Sequence, residues 1–324
     1  MTGKPFPLGM ASFGLAALLA LLLLVAAPSS AGAAERAASR AWKPSVAGAR
    51  RYARARLGDV SFAIVGRHTR LRSFQGARTA PAASVIKAML LVAYLRQPSV
   101  RDRRLHADEK ALLEPMIRVS DNAAGIQVAA LLGDGRVERL ARAARMRDFQ
   151  WVYEPGWLGG LSQISARDQA RFLLRYRRYV PGRHRHFVRH LLGSVIDWQR
   201  WGVASVRPRG WRLYFKGGWG INDDGVGVVS HQVAFLERGR CRLGLAILSE
   251  HNPSTAYGIE TLRGVAGRLL HGIAAARCGR RGPSKQQLGG RLDLGEEWRH
   301  ALDRLTAWSG AELGQLAGVL AQGG

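Results

Sequence analysis

Cysteine, lysine and acidic side chains are all scarce in this chain, and each scarcity excludes something. Cys241 and Cys278 are the only cysteines among 324 residues, and neither stands near the N-terminal apolar segment, so a lipid anchor on a processing-site cysteine is not indicated. Acidic residues number 23 against 49 lysines and arginines, for a formal net charge of +26. Nearly all of that charge is arginine, because lysine occurs only at positions 4, 43, 87, 110, 216 and 285. Arginine keeps its proton near neutrality whereas lysine can release it, so the places where this chain retains lysine, Lys87 and Lys216 above all, are informative. The arginines are dispersed, as at Arg51, Arg54, Arg56, Arg142, Arg145, Arg175 and Arg178. They imply a solvated basic surface attracted to anionic envelope polymers or lipids. Aromatic residues do not interleave with them as base stacking would need, so nucleic acid is not an expected partner. No carboxylate lies close in sequence to His184, His186 and His190, and Arg183, Arg185 and Arg189 would repel a cation; neither a metal nor any other cofactor is expected. No internal repeat is visible.

One long apolar run is present. Residues 10–27 are nearly unbroken apolar sequence after Lys4, and Ala31-Gly32-Ala33 then supplies a small-residue processing site. Residues 1–33 therefore read as a secretory signal peptide and the protein as secreted or extracytoplasmic, with an uncleaved membrane anchor as the alternative. Export permits a disulfide, and one Cys241–Cys278 bridge is expected. About 290 residues remain, enough for one large domain and a tail. Residues 34–45 read as a linker, 46–278 as the domain, 279–290 as a second linker, and 291–324 as a small helical tail. In that tail Trp298, Leu302 and Leu305 share a helical face, and Ser309 and Glu312 have capping-box spacing. The expected state is a monomer.

Within the domain, the patterning predicts an amphipathic helix over 46–57 and an early hairpin over 60–65 and 70–74. Helices dominate from 84 to about 192; strands return at 211–218, 226–236 and 240–249, and a helix follows over 255–276. Two early strands and three late ones around a helical block imply an α/β fold, an αβα sandwich. Its five-stranded antiparallel sheet is assembled from both ends of the domain, with an all-helical subdomain between. The first and last helices would cover one sheet face and the helix after Ser84 the other.

That helix carries the chemistry. Residues 84–95 are almost all apolar except Ser84 and Lys87, and a helix apolar on every face is a core helix in which an amine costs several kcal/mol unless paired or neutralised. Serine and lysine three apart share a face, so hydroxyl and amine meet one turn apart. Downstream stand Ser120-Asp121-Asn122, between two apolar helical segments, and Lys216-Gly217-Gly218, placed at the end of a strand. Singly, these are a helix start and a strand end entering a turn. In this order they resemble the serine β-lactamases and penicillin-binding proteins, most closely the class A β-lactamase-like serine hydrolases, over roughly residues 46–276. Ala83-Ser84-Val85-Ile86-Lys87 and the helix opening Ser165-Ala166-Arg167-Asp168 fit the same resemblance.

The resemblance implies roles. Ser84 would be the nucleophile and Lys87 its base, with Lys216's like charge helping to keep that amine neutral. Ser120 would pass the proton to the leaving nitrogen, and Asn122 would hold Lys87 and the substrate amide. Lys216 would attract a substrate carboxylate, Gly217 and Gly218 would let the strand approach the acyl group, and the amides of Ser84 and Trp219 would form the oxyanion hole. Two departures stand out. The deacylation glutamate of class A enzymes lies in an E-x-x-L-N loop, whereas here the loop reads Glu154-Pro155-Gly156-Trp157-Leu158-Gly159, leaving Glu154 as either the water-activating base or a surface carboxylate. Gly217 lacks the hydroxyl many relatives carry, for which Ser230 or His231 would substitute, unless His231 is a strand histidine bonded to a neighbour. The expected function is a serine hydrolase forming an acyl-enzyme on Ser84 and hydrolysing β-lactams. The alternatives are a penicillin-binding or DD-peptidase-like enzyme acting slowly on peptidoglycan stem peptides, or a non-catalytic envelope-binding homologue.

Overall fold

The computed structural model describes residues 42–275, apart from His68 and Trp157. The expected signal segment, most of the first linker, Cys278, the second linker and the tail lie outside the described residues. Helix α1 (Val46–Arg54) turns Ala49 and Ala53 inward and its arginines outward. Strands β1 (Asp59–Gly66) and β2 (Thr69–Phe74) form the early hairpin. The short strand β3 (Thr79–Pro81) leads into a 3-10 turn, Ala83–Val85, and then α2 (Ile86–Leu95), all ten of whose residues are buried. The helical block continues with α3 (Pro98–Arg101), α4 (Ala107–Arg118), α5 (Asn122–Leu132) and α6 (Arg136–Ala144). Strand β4 (Gln163–Ser165) precedes α7 (Ala166–Tyr179), which Ser165 caps, and α8 (Arg185–Gly193). The chain closes with β5 (Arg212–Ile221), β6 (Val228–Arg238), β7 (Cys241–Asn252) and α9 (Thr255–Leu270).

The main sheet runs β2-β1-β7-β6-β5, antiparallel throughout. Period-two alternation splits its apolar residues between two cores. Ala63, Val233, Phe235, Ala246 and Leu248 meet α2 and the helical block. Phe62, Ile64, Ala234, Leu236, Leu245 and Ile247 meet α1 and α9 on the other face. This is the αβα arrangement the patterning implied. In α2, Ile86, Met89, Leu90, Leu91 and Leu95 are wholly buried, each contributing roughly 1.5–3 kcal/mol on transfer from water.

Two local features differ from the sequence reading. Strands β3 and β4 pair antiparallel as a separate two-stranded sheet, Ala80 opposite Ile164, inside a stretch read as helical and loop. Lys216-Gly217-Gly218 sits in the middle of β5 and not at its end: β6 pairs with every residue from Arg212 to Ile221, so its ladder carries the glycines in extended conformation. Cys241 is buried at the start of β7 and is not a free thiol; Cys278, its expected partner, is outside the described residues. No helix among the described residues is long and apolar enough to cross a membrane.

Candidate active site

The turn bearing Ser84 is held from three sides. Ala82 N–H donates to the Ser162 carbonyl and Ala83 N–H to the Gly160 carbonyl, each at 2.8 Å, so the loop before β4 carries the approach to Ser84. Behind β3, His231 Nε2 lies 3.0 Å from the Pro81 carbonyl while its Nδ1 accepts from Ser249 N–H at 3.1 Å. One ring nitrogen accepts, so the other carries the proton and the imidazole is neutral. Full burial accordingly pushes its pKa down to about 4. The remaining strain falls on Ala83, whose φ of 45° is left-handed, a conformation that costs an alanine roughly 1–2 kcal/mol and persists only where surroundings impose it. His231 is thus a strut for this turn and supplies no hydroxyl substitute at Gly217. Ser230 supplies none either: its Oγ faces α9, where a Cβ on Gly258 would come within 2.3 Å of it.

The corner between α4 and α5 supplies the second wall. After α4 the chain doubles back so that Asp121 N–H donates to the Pro115 carbonyl at 3.1 Å, with Ser120 forced to a φ of 61°. Asp121 then caps α5 by accepting from Ala124 N–H at 2.7 Å. This geometry aims Ser120 and Asn122 at the lysine of α2. Lys87 Nζ donates to the Ser120 carbonyl at 2.6 Å and to Asn122 Oδ1 at 2.7 Å, and lies 3.3 Å from Ser120 Oγ. From the sheet, Lys216 Nζ donates to Ser120 Oγ at 2.8 Å and to the Gly217 carbonyl at 2.9 Å. Ser120 Oγ therefore stands between two amines, both 0 % exposed.

Burial sets the charge of both amines. It lowers Lys87 to about 8, opposed by the Asp121 carboxylate, which favours the ammonium form. Lys216 is pushed well below the ordinary lysine range by burial and by the like charge of Lys87. The sequence reading had Lys216 helping to neutralise Lys87, but burial leads for Lys87 and the like charge bears on the deeper Lys216. About one Lys87 in ten is neutral at pH 7. Its two short hydrogen bonds use both N–H groups of the neutral amine, leaving the lone pair free to take a proton.

Glycines bring the walls together. A Cβ on Gly218 would come 3.0 Å from the backbone nitrogens of both Ser84 and Val85, so β5 lies directly against the Ser84 turn. Gly217 points elsewhere: its Cβ would meet Trp201 Cη2 at 3.0 Å. Gly125 of α5 lets Lys87 pass, since a Cβ there would lie 2.9 Å from Lys87 Cε and 3.5 Å from Leu158 Cβ. Sequence reasoning missed Gly125, Leu158 and Trp201. Gly125 alone left a signal, an isolated glycine opening an otherwise apolar helical run.

Glu154 is not brought into this group. It is exposed, on a shallow surface depression lined also by Val152, Gly159, Gly160 and Leu161. Leu158 is the loop residue that shares Gly125 with Lys87, its Cβ 3.5 Å from where a Gly125 Cβ would stand. Val152 N–H donates to Ser162 Oγ at 2.9 Å, and the bridge Gln150 to Gln163 closes the loop base. His184 is buried and hydrogen-bonds through Nε2 to the Val100 carbonyl at 3.1 Å. Among the described residues no group of three or more His, Cys, Asp and Glu side chains is placed to hold a metal ion.

No family model and no curated protein matches the chain. Solved structures do match. A β-lactamase from Sphaerobacter thermophilus aligns with a TM-score of 0.60 at 20 % identity, covering 72 % of this chain and 98 % of its own. The structure of PBP-A aligns with a TM-score of 0.58 at 16 % identity, over 72 % and 97 %. A class A β-lactamase from Mycobacterium abscessus gives 0.58 at 16 %, over 71 % and 99 %. The chain has the fold shared by these β-lactamases and PBP-A.

Proposed function

We propose that this protein is a secreted serine hydrolase that accepts an acyl group on Ser84 from a β-lactam or a peptidoglycan-type peptide and releases it slowly. The observation that carries the reading is the array Lys87–Ser120–Lys216 with Gly218 seated against Ser84. In the first step, Ser84 Oγ bonds to the carbonyl carbon while its proton passes to the lone pair of neutral Lys87. The amides of Ser84 and Trp219 would receive the oxyanion, aided by the positive end of α2. The C–N bond then breaks and the leaving nitrogen takes a proton through Ser120 Oγ, which Lys87 and Lys216 flank. Asn122 holds Lys87 in position throughout.

Slow release is supported by what stands at the lysine. Hydrolysing the ester needs a base to activate water, a contribution of about 10²–10⁴ in rate. Leu158 is the loop residue packed at Gly125 together with Lys87, and Glu154 is exposed. Neither provides a carboxylate at the reacting centre.

Intact-mass spectrometry after exposure to benzylpenicillin, sampled over time, tests both halves. The expected result is one adduct of the antibiotic's mass that persists, and is lost in Ser84→Ala. No adduct and no turnover, or an adduct undiminished in Ser84→Ala, would overturn the nucleophile; rapid turnover by the wild type would overturn slow release. Export is tested separately by N-terminal sequencing of secreted protein, with processing near Ala33 expected.

A further inference from the structure

The Trp219 amide serves the oxyanion, but the indole rings grouped around it are used by none of these steps. Trp219 packs edge-to-face on Trp198, with ring centres 5.5 Å apart and planes at 79°, and on Trp201 at 5.9 Å and 84°. Its ring centre lies 5.8 Å from Lys216 Nζ, the amine bonded to Ser120. Trp198 is 62 % exposed, and its neighbourhood is apolar: Val119, immediately before Ser120, and Ile221, two residues beyond Trp219 on β5, are 42 % and 77 % exposed. The platform is fixed to the catalytic corner, because Gln199 Nε2 donates to the Val119 carbonyl at 2.9 Å and Ile196 N–H to the Arg118 carbonyl at 3.1 Å. An exposed indole pinned in this way, beside the Ser120 corner, is suited to hold a flat apolar group by stacking.

The same residues argue against a carboxylate there. The space that a hydroxyl-bearing side chain at position 217 would use is filled by the Trp201 ring, 3.0 Å from where a Cβ would stand. Lys216 donates to two protein oxygens, Ser120 Oγ and the Gly217 carbonyl. An ammonium has three donors and a neutral amine two, so Lys216 keeps one hydrogen at most for a ligand.

We propose that Trp198 and Trp219, backed by Trp201, form a subsite for an uncharged aromatic substituent of the acyl donor, and that this contact takes the place of carboxylate recognition at Lys216. The proposal rests on the reading of Ser84 as the acyl acceptor, which makes this cleft the place where the donor lies.

Two matched pairs of acyl donors test it. The first is p-nitrophenyl phenylacetate against p-nitrophenyl acetate, compared by the burst rate of Ser84 acylation. The wild type is expected to prefer the phenylacetyl ester by about tenfold or more beyond the ratio for hydrolysis by hydroxide, the scale of one buried ring. Trp198→Ala should collapse that ratio towards the hydroxide value, and Trp198→Phe should retain most of it. The second pair is benzylpenicillin and its methyl ester, expected to acylate at rates within about threefold of each other, since one hydrogen bond fewer to a partly occupied amine is a small loss. A phenylacetyl ratio no larger than the hydroxide ratio, or one unaffected by Trp198→Ala, overturns the aromatic subsite. Acylation at least tenfold faster with the free carboxylate overturns the replacement of carboxylate recognition. Absence of any burst with the small acetate ester would instead refute the nucleophile itself, and so separates the two failures.

Discussion

If Lys87 is the base of the proposed acylation, its charge state sets the rate, and its surroundings give both a midpoint and the direction in which one substitution moves it. Only the neutral amine accepts the Ser84 proton, and burial places the Lys87 midpoint at about 8. Acylation should rise about ninefold from pH 6 to 7 and about fivefold from pH 7 to 8, then level off above pH 9. Asp121 stabilises the ammonium, so replacing its carboxylate by a neutral amide lowers the midpoint. Asp121→Asn is the suitable perturbation, because asparagine keeps the Oδ1 that accepts from Ala124 N–H and caps α5. At pH 6, where the amine is nearly all protonated, a midpoint lowered by half a unit would raise the rate about threefold. The assay is the burst of p-nitrophenol from the uncharged acetate ester across pH 5.5–9.5, in which only the protein titrates over the acidic limb. Lys87→Arg should show no burst at any pH in that range, since guanidinium keeps its proton. A profile flat below pH 8, or an upward shift in Asp121→Asn, would refute Lys87 as the base.

Three further outcomes follow from the geometry. Leu158→Glu sets a carboxylate beside Lys87 and should shorten the life of the benzylpenicillin adduct about a hundredfold, read by mass spectrometry; an unchanged lifetime would show that another feature limits release. Gly218→Ala pushes a methyl group against the Ser84 and Val85 nitrogens at 3.0 Å, so acylation should fall by about a hundredfold while far-ultraviolet circular dichroism stays native; retained acylation would mean β5 does not set the oxyanion geometry. His231 has a folded pKa of about 4 against an ordinary 6.5, so the unfolded chain binds more protons between those values and stability falls as pH drops through that window. The His231 share is on the order of 3 kcal/mol. Glu250, raised to about 7 by burial, works in the opposite direction over the same window. The readout is therefore the difference in denaturant midpoint between wild type and His231→Gln, which should shift in the variant's favour as pH falls from 6.5 to 4.

Local order along the chain determined much of this protein. The apolar stretch that follows Ser84 and carries Lys87 had to be a core helix, because helical period and burial are properties of a dozen consecutive residues. That Ser84 itself stands in a 3-10 turn before the helix begins at Ile86 was not legible. Alternation along the strands, the caps at Asp121 and Ser165, and the order of the three polar motifs were equally legible, since each depends on near neighbours. Tertiary structure alone decided the rest. The three-residue strands β3 and β4 are too short to show a period, and exist because Ala80 finds Ile164 far along the chain. That Leu158 packs at Gly125 with Lys87, that Trp201 fills the space beside Gly217, and that His231 braces the Ser84 turn through Pro81 are contacts between residues from 16 to 150 positions apart. The midpoint of Lys87 belongs to the same class. Two amines and a serine hydroxyl from three distant segments meet where water is excluded, and the cost of charge there depends on everything that surrounds them.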